Sequence, residues 1–78
     1  MDEKDQRFIV TFHTTAEAMA LEDLCRAKNL KGRLISAPRS LSPDCGIAWS
    51  APPEEAGKIK AAVKAEGLEV HAFHIIEA

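Results

Sequence analysis

The segment RFIVTFHTTAEA (residues 7–18) changes its hydrophobic period half-way along, and that change decides the fold. Arg7 to His13 is aromatic and β-branched almost throughout, as suits a strand buried on at least one face. Phe8, Val10 and Phe12 share one side, and Ile9, Thr11 and His13 the other. Thr14 then opens a capping box with Glu17: the hydroxyl accepts the N–H of Glu17, and the carboxylate returns to the N–H of Thr14. From there Ala18, Leu21, Leu24 and Cys25 recur at helical spacing, which predicts a helix to about Lys28 with that stripe buried. Asn29 or Gly32 can end it in a left-handed conformation.

The same alternation recurs further along the chain. Arg33 to Ala37 reads as a short second strand closed by Pro38. Gly46 to Ala51 reads as a third, with Ile47 and Trp49 on one face and Ala48 on the other. Pro52-Pro53-Glu54-Glu55 starts a second helix, with proline preset in φ and carboxylates at the positive end of the dipole. Ala56, Ile59, Ala62 and Val63 are its apolar stripe, Lys58, Lys60 and Lys64 its solvated side, and Gly67 its stop. Leu68 to Ile76 (LEVHAFHII) is the fourth strand. Residues 1–6 (MDEKDQ) carry four charges and read as a flexible tail, leaving 7–78 as a single domain.

The order βαββαβ in so short a chain is the ferredoxin-like split βαβ plan, an α+β fold with a four-stranded antiparallel sheet and two helices on one face. Right-handed crossovers put strand one between strands three and four. The end of strand one, the start of the first helix, the end of strand two and the start of strand three then fall at one sheet edge. His13, Thr14 and Thr15 should meet the 38–46 segment there.

Composition narrows the function classes. Seventy-eight residues allow one core. An apolar share of 46% and a charged share of 28% are those of a folding globular chain rather than a disordered one. A net charge of −2 offers no electrostatic attraction for nucleic acid or an anionic membrane. No apolar run approaches the roughly 20 residues that span a bilayer. Two cysteines form at most one disulfide, and no secretory leader follows Met1, so reduced thiols in the cytoplasm are expected.

Residues 38–46, PRSLSPDCG, cannot continue a helix or a central strand, because Pro38 and Pro43 lack the donor N–H and the remainder are mostly turn formers. The segment reads as a shaped loop that presents Cys45, with Gly46 beside it letting the backbone turn sharply. The N–H groups at the start of the first helix would favour thiolate over thiol; Arg39 and His13 would add positive or donor character, and Asp44 would oppose it. The plain alternative for Cys45 is a small buried core residue, and that reading fits Cys25 better, since its helical spacing already explains it. Arg39 and Ser42 otherwise cap the turn locally, and Glu54 and Glu55 need no role beyond the helix start. Trp49 reads as core packing. His71 and His74 are three apart, which places them on opposite faces of a strand and argues against a shared metal site; without a CxxC or compact Cys/His cluster, no metal or other cofactor is expected.

FHTTAEAMALED (12–23) together with APRSLSPDCGIAW (37–49) resembles the selenium/sulfur carrier protein-like family of small bacterial domains, with Pro-Arg-x-x-Ser-x-x-Cys-Gly as the most specific string. The resemblance spans about Phe8 to Ala65. It implies that Cys45, before Gly46, holds sulfur or selenium as a persulfide or selenopersulfide; the sheet-edge placement read above puts Asp44, Ser42, Arg39, His13, Thr14 and Thr15 around it. It also implies a cysteine desulfurase-type donor and an acceptor protein as partners, and a carrier rather than an independent enzyme. The alternative from another class is a small regulatory or anion-binding module on the same fold. Either way the exposed sheet face is a candidate homo-oligomer surface.

Overall fold

A computed structural model describes residues 6–38, 41 and 46–77. The elements run β1 (Gln6–Thr11), α1 (Thr15–Ala27), β2 (Arg33–Ser36), β3 (Ile47–Ala51), a 3₁₀ turn (Pro53–Glu55), α2 (Ala56–Glu66) and β4 (Ala72–Glu77). The four strands form one antiparallel sheet in the order β2-β3-β1-β4, so the expected βαββαβ architecture is present with β1 between β3 and β4.

One sheet face makes the core. Phe8, Val10 and Phe12 of the first strand segment and Trp49 and Ala51 of β3 pack with Ala18, Leu21 and Cys25 of α1 and with Ile59 and Val63 of α2. Both apolar stripes therefore face inward as their spacing predicts; Leu24 and Ala56 contribute from the margin. Each helix ends in a Schellman arrangement. Asn29, with φ 58°, donates to Arg26 O while Leu30 donates to Cys25 O; Gly67, with φ 68°, donates to Lys64 O while Leu68 donates to Val63 O. Of the two residues able to end the first helix, Asn29 is the one that does.

The structure corrects some boundaries. Gln6, assigned to the tail, pairs with Glu77 in β1–β4. Leu68 and Val70 pack against the core, but sheet pairing in β4 begins only at Ala72. Pro52-Pro53-Glu54-Glu55 does not enter an α-helix directly; a 3₁₀ turn precedes α2 and leaves Glu55 buried beneath it. Lys60 is not purely solvated, since its Nζ lies 5.8 and 5.6 Å from the ring centres of Phe8 and Phe73. Those two rings stack at 5.7 Å, carrying the core face out to the edge strand.

On the second face, Arg7 Nε donates to Ser50 Oγ at 3.0 Å, and Ile9, Thr11 and Ala48 are buried. Among the described residues, the large apolar side chains that reach the surface are Met19, Phe73 and Ile75, of which the last two lie on the helix side of β4. No helix among the described residues is long and apolar enough to cross a membrane.

Candidate functional site

The strand register gathers one end of the sheet. Ala48 and Ala72 both lie opposite Thr11, and Ser36 lies opposite Ile47, so the end of β1, the end of β2 and the starts of β3 and β4 are neighbours. Helix α1 begins at this same end, two residues after His13. Beyond the last β2–β3 pair, Ala37 N–H donates to Gly46 O at 3.0 Å and closes the neck of the connecting loop. Leu41 N–H donates to Pro38 O at 3.0 Å. Gly46 is exposed with φ 74°, the left-handed region in which glycine carries no steric penalty. Arg39, Ser42, Asp44 and Cys45, all read as site residues, lie outside the described residues.

The described site residues form a polar rim. Thr14 is the N-cap of α1 and its hydroxyl accepts the Glu17 N–H at 3.2 Å, as the capping box requires. The return bond differs from expectation: Glu17 Oε1 accepts from the His13 N–H at 2.7 Å rather than from Thr14. The same oxygen lies 3.3 Å from His13 Nδ1, so Glu17 holds both the backbone and the ring of His13. Thr15 is exposed in the first turn of α1.

Of the other two histidines, sequence spacing places His74 correctly in β4 and misplaces His71. His71 precedes β4 instead of lying within it, and strand alternation does not apply to the pair. His71 N–H donates to Thr11 O at 2.8 Å, which folds its ring back toward β1. The buried Thr11 hydroxyl consequently stands 3.0 Å from His71 Nδ1, 3.2 Å from His74 Nε2 and 3.4 Å from Ala72 O. The hydroxyl has one proton, so if it donates to Ala72 O both imidazoles donate to it. His13 meets His71 edge to face at 5.1 Å, linking Glu17, His13, His71, Thr11 and His74 into one continuous group. The only signal in the sequence was the shared presence of threonine and three histidines near strand ends. Among the described residues no group of three His, Cys, Asp or Glu is arranged to hold a metal ion.

The second thiol belongs elsewhere. Cys25 is fully buried in the core, and burial followed by the nearby Glu55 carboxylate pushes its pKa up to about 11. It stays protonated at neutral pH and is a poor nucleophile.

The family model described as "Putative Se/S carrier protein-like" matches residues 7–75, which takes in nearly the whole sheet, both helices and the 38–46 loop. The chain belongs to this Se/S carrier-like family. No curated protein and no solved structure shows a significant match to it. The expected resemblance, on Phe8 to Ala65, thus lies within the matched span of this Se/S carrier-like domain.

Proposed function

We propose that this Se/S carrier-like domain holds sulfur or selenium on Cys45 and moves it from a cysteine desulfurase-type donor to an acceptor protein. The observation that carries the reading is the family match over 7–75, a span that includes Cys45-Gly46. Two features of the fold support it. Cys25, the other thiol, is buried and held protonated, which removes the competing nucleophile. The chain between Ala37 and Gly46, which includes Cys45 in sequence, leaves and rejoins the sheet at the end where α1 begins, and N–H groups at a helix start favour nearby anions.

The transfer is an exchange at sulfur. The Cys45 thiolate attacks the outer sulfur of the donor's persulfide, a new S–S bond forms on Cys45, and the donor's own S–S bond breaks with its cysteine leaving as thiolate. No external oxidant or reductant enters. The acceptor's nucleophile takes the outer atom in the same way and returns Cys45 as thiolate. The selenium version exchanges at selenium by the same sequence. Such a thiol works where thiols stay reduced, which agrees with a cytoplasmic setting.

Incubation with a cysteine desulfurase and cysteine, followed by intact mass measurement, tests the proposal. The wild-type chain should gain one sulfur atom, lost again on reduction; Cys45→Ser should gain none, and Cys25→Ala should load normally. Loading that survives Cys45→Ser overturns the assignment.

A further inference from the structure

The sheet ends in two edges of different character. β2 presents four residues with Arg33 and Ser36 exposed at its ends, the short and polar form in which edge strands are protected. β4 presents six, paired with β1 without interruption, and its outer row of N–H and C=O groups faces no strand among the described residues. From Ala72 to Ile76 it carries no proline, no bulge and no lysine or carboxylate to turn another strand away. Its apolar side chains are open as well, with Phe73 36% and Ile75 54% exposed. Free backbone groups beside open apolar side chains fit an added strand rather than a helix or a small molecule.

Charge selects whose strand it is. Lys60 Nζ is held on the helix side of β4, 5.6 Å from the ring centre of Phe73. By strand alternation Glu77 shares that side with Phe73 and Ile75. Neither Lys60 nor Glu77 makes an ion pair among the described residues. When two β4 strands run antiparallel about a twofold axis at Ile75, each Ile75 meets its counterpart, and Glu77 of either copy stands opposite Phe73 of the other, beside the Lys60 ammonium. The strand therefore supplies both halves of the complementarity. On the other face Ile76 meets the second copy's His74, whose ring is drawn away from the axis toward Thr11 on β1, at 3.2 Å.

We propose that two copies of this chain pair antiparallel through β4, with Ile75 on the twofold axis and Lys60 of each copy against Glu77 of the other, to form one continuous sheet with both helix layers on the same side. The contact lies at the sheet edge rather than across the open face, and being one strand wide it makes a weak, reversible dimer. It stands whether or not Cys45 carries sulfur.

Sedimentation equilibrium of the full chain under reducing conditions, up to about 1 mM, should show a monomer–dimer equilibrium. Ile75→Lys sets like charges against each other on the axis and should weaken association at least tenfold, with the urea midpoint retained because the position is exposed. Lys60→Glu and Glu77→Lys should each weaken the dimer severalfold, and the double reversal should associate more tightly than either single variant. A chain that stays monomeric throughout, a dimer that survives Ile75→Lys, or a double reversal no tighter than the single variants overturns the proposal.

Discussion

Titrating the buried thiol of Cys25 ought to loosen the fold, by an amount the structure sets. Burial and Glu55 raise its pKa from 9.0 to about 11. In the unfolded chain the thiol ionises near its ordinary value, so between those two limits the folded state holds the proton more tightly than the unfolded state. A group with a raised folded pKa contributes stability that is complete below the unfolded pKa and is lost as pH rises through the folded one. Two pKa units are worth about 2.7 kcal/mol, of which roughly 2 kcal/mol is gone by pH 11. Because Cys25 is fully buried, solvent screening does little to reduce this. Urea melts of Cys45→Ser and of Cys45→Ser/Cys25→Ala at pH 8 and pH 11 isolate the effect, since lysine titration is common to both. The stability advantage of the chain retaining Cys25 should shrink by about 2 kcal/mol between the two pH values. Glu55→Gln removes the second cause of the shift and should make the shrinkage smaller. A difference that stays flat from pH 8 to 11 would refute the argument that Cys25 is held protonated.

Three further outcomes are expected. Thr14→Ala removes the cap on Glu17 N and should cost roughly 0.5–2 kcal/mol in urea melts, with Thr14→Ser recovering most of it; an unchanged midpoint would show that the cap bond contributes nothing. Thr11→Val leaves the ring nitrogens of His71 and His74 without their shared hydroxyl and should destabilise by about 1–3 kcal/mol, whereas Thr11→Ser should be close to neutral. Equal melts for valine and serine at that position would mean the contact has no energetic role. Gly32→Ala forces a Cβ into the Trp49 indole at a φ that alanine avoids, so it should cost more than about 1 kcal/mol and alter tryptophan emission; wild-type stability with unaltered emission would contradict the close packing of Gly32 on the indole.

Elements whose cause is local were legible in the sequence. The switch from period two to helical period at Thr14 is realised as β1 and α1, because a threonine cap and an apolar stripe act within a few residues of one another. The fourth strand was harder to bound. Leu68 and Val70 continue the alternation of LEVHAFHII, yet they serve the core before pairing begins at Ala72; side-chain packing and ladder bonding give the same apolar signal. The histidine group failed for a related reason. Whether His71 obeys strand alternation depends on a backbone bond to Thr11, sixty residues earlier, and no local pattern encodes it. The Trp49 indole N–H, which has no acceptor among the described residues, was equally hidden, because a tryptophan satisfied by a neighbour and one packed on a glycine read alike. Glu17 shows the intermediate case: its helical position was legible, but its choice of the His13 N–H over that of Thr14 is a matter of chain direction at the end of β1.

The bond between Ala37 N–H and Gly46 O has an evolutionary reading. It extends the β2–β3 pairing one step past Ser36 and Ile47 and holds the two ends of the connection together. Chain closure depends only weakly on length, with each doubling of a flexible loop costing about 0.6 kcal/mol. A longer or shorter connection between these two residues would therefore cost the β2–β3 pairing little. Such a scaffold can exchange its chemistry without renegotiating its stability, and chains sharing this framework are free to diverge in what they carry while folding alike.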